Sequence, residues 1–322
     1  MKAAFLFLLL NMAPTGSGPY LFRLHPRDYK EEQSFEAQTQ RKNLRSIKAV
    51  RLLYFGPPSD AQGRVDPLWL SALTAVREEN EKGGYKGLLF ELKNVWSESP
   101  WGDGVTKLVK AIYTEKVWGV IASLDGNLSH LAEQVAAKAR IPVINPCATD
   151  KSVNLANVPW IFSCLSGDHL LARSLAQIAS RQPWRSSPVV LQTLSHDHRL
   201  FGKELLKELL KRKIVPLRYF VFEPKAEAME RFCSEVLKLR PSCVVVLANS
   251  QNSAAIVSLL RTKGYKAQIL GGPQFGTIAF QKKAGKFREG CIFTLPADLP
   301  KEKAPFVAEF RKHTALDPDF LC

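Results

Sequence analysis

Ser195, His196, Asp197 and His198 are consecutive, and each residue type can do chemistry. A serine, a histidine and an aspartate could act as nucleophile, base and orienting acid of a hydrolase. Triads, however, are assembled from residues distant in sequence, because adjacent side chains cannot converge on one proton path. His196 and His198, one residue apart, could share a metal ion, but the sequence identifies no third ligand. The run therefore reads as a polar loop at the carboxyl end of the strand PVVLQTL (188–194), where loops of α/β proteins face a ligand cleft. GxGxxG, GxxxxGK[ST], GxSxG and HExxH signatures are all absent. No catalytic residue, metal or cofactor is expected, and the chain reads as a binder rather than an enzyme.

Two other turns suit binding. Asp125-Gly126-Asn127 follows the apolar run VWGVIASL, and Pro146-Cys147-Ala148-Thr149-Asp150 follows IPVIN. Both are small and polar at the ends of neighbouring strands. Their backbone N–H groups can approach a carboxylate or another hydrogen-bonding head group, and Thr149 adds a hydroxyl.

The elements that must hold these turns alternate regularly. IKAVRLLYFG (47–56), YKGLLFELKNVW, VWGVIASL and IPVIN read as strands. Between them lie helices in DPLWLSALTAVREENEKGG, GDGVTKLVKAIYTEKV (opened by Asp103) and SHLAEQVAAKAR (capped by Ser129). A second set follows, with strands PVVLQTL, IVPLRYFVF, CVVVLA and AQILGG between helices from SGDHLLARSLAQIASR to NSAAIVSLLRTKGY. Continuous apolar strands alternating with helices mean parallel sheets covered on both faces. The expected fold class is α/β, with two doubly wound parallel-sheet lobes.

Composition agrees. The 322 residues are 46% hydrophobic and 23% charged, which excludes a disordered chain, a collagen-like repeat and a membrane-spanning bundle. A net charge of +15 is spread along helical faces rather than concentrated, and no nucleic-acid-binding motif accompanies it. The six cysteines show no metal-ligand spacing and are expected as free thiols. Lys2 precedes AAFLFLLL and a small-residue exit, the parts of a secretory signal over residues 1–18, and residues 19–45 read as a linker.

From Gly104 to Leu295 the sequence resembles the periplasmic substrate-binding proteins of branched-chain amino-acid ABC transporters, the type I periplasmic-binding fold. The residues that carry the likeness are VWGVIASLDGNLSHLAEQVAAKARIPVINPCATDKSVN, VPWIFS, HDHRLFGKEL, RPSCVVVLANSQNSAAIVSLLRTKGYKAQILGG and FREGCIFTLP. The resemblance implies a first lobe over 46–161 plus 293–322, a second over 162–292, and crossings at VPWIFS and GCIFTLPADLP. It also implies a small-molecule ligand (an amino acid, amide or small acid) in the cleft, an ABC permease as partner, no nucleic acid, a monomer, and a periplasmic or secreted location. The ligand residues it implies are Asp125, Gly126, Asn127, Cys147, Ala148 and Thr149 from the first lobe. From the second they are Phe201, Asn249, Ser250 and Gln274.

The sequence departs from the family pattern in four places. The serine of the first loop reads Gly126, and the aromatic residue of the GPPSDAQG loop is missing. No carboxylate stands near Pro273-Gln274, and an ammonium without a charge partner in a closed cleft is costly, which counts against an amino-acid ligand. The chain stops at PDFLC, so the fold is expected to be C-terminally truncated, with KEKAPFVAEFRKHT a helix of the first lobe. A ligand-sensing receptor module and a degenerate member that binds nothing are the alternative readings.

Overall fold

Strand β1 (Ala49–Phe55) shows how the architecture arises: its run AVRLLYF has no polar alternation, and Leu52 to Phe55 are all buried. Such a strand needs cover on both faces. The computed structural model describes residues 47–59, 65–122, 126–155, 158, 160–296 and 305–314. Signal-like residues 1–18, the linker 19–45, Asp125 and the terminal residues 315–322 lie outside that description. The chain divides at Lys48, and every element named below belongs to the unit Ala49–Cys322.

The first sheet continues through α1 (Pro67–Glu81), β2 (Leu89–Val95), a π-helical turn at Pro100–Gly104, α2 (Val105–Glu115) and β3 (Gly119–Ile121). Then come α3 (Gly126–Ala139), β4 (Val143–Asn145), α4 (Lys151–Asn154) and β5 (Ile161–Ser163). All pairings are parallel, in the order β2-β1-β3-β4-β5. The second lobe begins with α5 (Asp168–Ala179), β6 (Pro188–Thr193), α6 (His196–Lys211), β7 (Arg218–Phe222) and α7 (Ala226–Leu239). It ends with β8 (Cys243–Leu247), α8 (Ser250–Thr262), β9 (Gln268–Gly271), α9 (Ile278–Ala284) and β10 (Ile292–Phe293). Its order is β10-β9-β8-β6-β7, again parallel. The expected pair of doubly wound lobes is what the chain forms.

Alternate strand residues feed separate cores. Val189, Leu191, Val244 and Val246 pack beneath α7 and α8 with Val236, Ile256 and Leu260. Val190, Val245 and Leu247 face the other way, against Leu171, Leu175, Leu205 and Leu209 of α5 and α6. Strand β5 pairs with β4 in the first sheet and β10 with β9 in the second, so the chain changes lobe after Ser163 and again after Phe293. Helix α10 (Pro305–Thr314) then packs against α1. No described helix is long and apolar enough to cross a membrane. Cys164, Cys233, Cys243 and Cys291 are free thiols.

Three helix starts differ from the sequence expectation. Asp103 lies inside the π-helical turn, and α2 begins behind it at Val105 with Gly104 as N-cap. Helix α3 begins at Gly126, and Ser129 is no cap; its hydroxyl donates to Asn145 Oδ1 at 3.2 Å inside the lobe. Residues 196–198 are not loop but the first turn of α6, with Ser195 as N-cap accepting from the His198 N–H. The switch points of the two sheets explain why the last two of these starts matter. Strand order reverses between β1 and β3 and between β6 and β8, and helices leaving β3 and β6 there begin at the ligand-facing edge.

The seat of α6 depends on Gly202. A Cβ there would lie 1.9 Å from Gln192 Oε1 and 2.2 Å from the Tyr219 hydroxyl, which itself donates to Gln192 at 2.5 Å. Gly202→Ala must break the Tyr219–Gln192 hydrogen bond and displace these side chains or shift α6 against β6, and by the usual cost of overpacking it lowers stability by about 1–3 kcal/mol. Denaturant midpoints of the two proteins check this; an unchanged midpoint would refute the close packing.

Candidate functional site

The functional seam is built from three helix starts. Gly126 opens α3, Asp150 caps α4, and His196 with Asp197 forms the first turn of α6 from the other lobe. Asp150 is the central group, with no exposed side-chain surface. Its Oδ1 accepts from the Ser152 N–H and hydroxyl, both at 2.7 Å. Its Oδ2 accepts from His196 Nε2 at 2.8 Å across the lobes and from His130 Nε2 at 3.2 Å within the first lobe. His130 Nε2 also lies 2.8 Å from the Ser152 hydroxyl, and its Nδ1 lies 2.9 Å from Oε2 of buried Glu133. The two imidazole rings meet edge to face at 6.1 Å.

Further contacts cross the seam beside this cluster. The Gly126 N–H donates to Asp197 Oδ1 at 3.2 Å, and Lys151 Nζ pairs with Glu204 at 2.9 Å. The Asp168 N–H donates to the Thr149 carbonyl at 2.6 Å, while its carboxyl hydrogen-bonds the Thr149 side chain. Gly126 has no room for a Cβ, which would stand 2.6 Å from Asp150 Oδ2 and 3.0 Å from Asp197 Oδ1.

Proton affinities follow from these contacts. Hydrogen bonds to Asp150 and then Glu133 raise His130 to about 9, against the opposing effect of burial. Burial works against ionisation of Asp150 too, but hydrogen bonds from His130, Ser152 and His196 outweigh it and hold the carboxyl well below the usual range. Asp168 goes the other way, to about 8: burial dominates, the Thr149 bond only partly offsets it, and Asp197, Asp150 and Glu204 add repulsion. One of its oxygens, Oδ2, is buried without a hydrogen-bond partner among the described residues. Burial lowers His198 to about 4, and its Nδ1 lies 2.6 Å from the Ser195 hydroxyl and 2.9 Å from that of Thr193.

Residues 195–198 thus divide their side chains. Ser195 and His198 close the helix start, His196 reaches Asp150, and Asp197 reaches Gly126. Of the other expected site residues, Gly126 and Thr149 are brought together at the seam on either side of Asp150. Asn127 is exposed. Cys147 is buried against Tyr54 and Leu68, and the amide of buried Ala148 donates to Asn145 Oδ1 at 3.1 Å. Phe201 is buried in the core beneath α5 and α6. Ser250 and Gln274 meet at 3.1 Å, with the Thr277 hydroxyl 2.8 Å from Ser250, while Asn249 caps α8 and is exposed.

Sequence reasoning missed His130, Glu133 and Asp168, and placed Asp150 in a loop without giving it a role. The two metal-type partners that His196 lacked in the sequence reading, His130 and Asp150, come from the other lobe. His130, Asp150 and His196 each offer an atom within 4.8 Å of the others, whereas His198 belongs to the helix cap.

Asp168 gives the seam a pH dependence of known sign. The unfolded chain loses this proton near the ordinary aspartate value of 3.8, whereas the folded chain keeps it to about 8, so stability falls as pH rises through that window. Asp168→Asn removes the penalty. Thermal melts should show the variant gaining on the parent between pH 4 and pH 8 by several kcal/mol, about 1.4 kcal/mol for each pH unit that separates the two proton affinities. At pH 4 the difference should nearly vanish; a gap independent of pH would contradict the assignment.

Comparison with known proteins places this architecture. The branched-chain amino acid transporter substrate binding protein LivJ of Streptococcus pneumoniae, solved with isoleucine, superposes with a TM-score of 0.73. The two are 18% identical over 85% of this chain and 80% of that one. The leucine binding protein LivK of Thermotoga maritima gives 0.70 at 16% identity, over 85% of this chain and 78% of that one. A solute binding protein from R. palustris, solved with benzoate, gives 0.72 at 16% identity, covering 85% and 76%. At these identities the likeness speaks for the fold. No curated protein matches the sequence significantly. The family profile described as periplasmic binding protein matches residues 60–319, most of the chain and both lobes, and the chain therefore belongs to the periplasmic binding protein family.

Proposed function

We propose that this chain receives a small polar or amino-acid-like solute between its lobes and delivers it to an ABC permease, outside the cytoplasm and as a monomer. The observation that carries the reading is the seam itself. The Gly126 amide and the Thr149 hydroxyl of the first lobe face Asp197 and Asp168 of the second. Contacts on both lobes let a solute shift an equilibrium between open and closed forms, and no catalytic group is required. The isoleucine and benzoate in the neighbouring structures both carry a carboxylate, the group an amide and a hydroxyl suit.

Asp197 already accepts from the Gly126 amide, so a solute carboxylate must displace it. The displaced Asp197 then supplies the negative charge that the Pro273-Gln274 region lacks, while Asp168, which keeps its proton at neutral pH, offers a neutral carboxyl beside it. That arrangement would let an amino acid be held at both ends: carboxylate on Gly126 and Thr149, ammonium on Asp197.

A thermal-shift panel of amino acids, their amides and small carboxylic acids tests the reading. Saturation near 100 times Kd is expected to add about 2.7 kcal/mol, several degrees in melting temperature. In Asp197→Ala, simple acids should bind more tightly because the amide is free, and zwitterionic amino acids more weakly. No shift with any member of the panel, on folded protein, would overturn the proposal and leave a family member that holds no such solute.

A further inference from the structure

The polar cluster at the centre of the seam has a composition that solute binding does not call for. Two imidazoles and one carboxylate converge there, and His130 and Asp150 belong to the first lobe whereas His196 belongs to the second. We propose that His130, Asp150 and His196 form a site for a first-row divalent cation of the Zn2+ type, which bolts the two lobes together. The proposal does not depend on the identity of any solute.

The geometry supports it in several ways. His130 Nε2 and His196 Nε2 lie 3.2 and 2.8 Å from the same oxygen, Asp150 Oδ2. Ligand atoms about 2.0–2.1 Å from a tetrahedral zinc are roughly 3.3 Å apart, so small ring movements admit the ion. The nitrogen of His130 that faces away from the cluster, Nδ1, is 2.9 Å from Glu133 Oε2. This is the outer carboxylate that metal-bound histidines commonly use to fix their orientation and tautomer. Glu133 is buried, and its second oxygen, Oε1, has no hydrogen-bond partner among the described residues, so its contact to the cluster runs through His130.

Access and selectivity also follow. The Asp150 side chain is fully buried, while those of His130 and His196 remain 25% and 27% exposed, leaving a side from which an ion and a fourth ligand can enter. Two imidazole nitrogens favour Zn2+ and its neighbours over Mg2+ or Ca2+, which prefer all-oxygen shells. Asp197, at the Gly126 amide next to Asp150, adds negative potential around the cation. Because the ligands come from both lobes, cation binding and lobe closure must strengthen one another reciprocally.

The test uses the untagged full-length chain, stripped with chelator and titrated with ZnCl2 by calorimetry and thermal melting. One equivalent is expected to bind and to raise the melting temperature, with MgCl2 inert. His130→Gln and His196→Gln should each weaken binding at least 10-fold, and Glu133→Ala about 10-fold. Undetectable Zn2+ binding, or binding undiminished in both folded histidine variants, would overturn the proposal. Should the variants misfold, Co2+ added to the unaltered chain decides. Intense visible d–d bands of a tetrahedral site with nitrogen ligands support the proposal, and the pale spectrum of the hydrated ion refutes it.

Discussion

A carboxylate taken wholly out of water has to be paired, because an uncompensated buried charge costs several kcal/mol. Asp150 meets that demand with donors from two lobes: Ser152 and His130 beside it, and His196 across the seam. Removing the second lobe from this contact would leave the charge with one partner fewer and open to solvent. The relation between the lobes is therefore an electrostatic problem with a local solution. Gly126 takes part because only a residue without a Cβ allows Asp150 and Asp197 to approach the start of α3 together.

The seam also differs in charge from the molecule around it. The chain as a whole carries +15, yet Asp150, Asp168, Asp197 and Glu204 gather where the lobes meet. Lys151 offsets Glu204, and Asp168 keeps its proton at neutral pH. What remains favours a guest that brings positive charge, whether an ammonium or a metal ion. The basic surplus on the surface, which at first sight suggests anionic partners, has little to do with the binding chemistry.

Much of the fold was legible in the sequence because parallel strands covered on both faces have a plain signature. CVVVL and PVVLQT, buried at every position, read as strands without further information. Helix starts were less legible. Ser129 has the type and spacing of a cap, but its hydroxyl is drawn inward to Asn145, and α3 begins a turn earlier. The heart of the site was legible only at His196, whose partners could not be named. His130, 20 residues before Asp150, is brought beside it by the packing of the first lobe alone, and His196, 46 residues after it, becomes a neighbour only across the seam. The turns at Gly126 and Thr149 could be found because strand ends at a switch point face a cleft. Of the acids that answer them from the second lobe, Asp197 falls in the run 195–198, which the same strand-end signal marked, whereas Asp168 lies in a helical turn that carries no comparable signal.

The path of the chain through the two sheets has a mechanical corollary. Strand β1 and helix α10 both belong to the first lobe, since α10 returns from β10 to pack on α1. In topological terms the second lobe is a long excursion inserted into the first. Tension applied between β1 and α10 would be borne by the first lobe alone, and the inserted lobe would feel no load until its host had begun to tear. A molecule wired in this way can be strained from outside while half of its binding surface stays in its native shape.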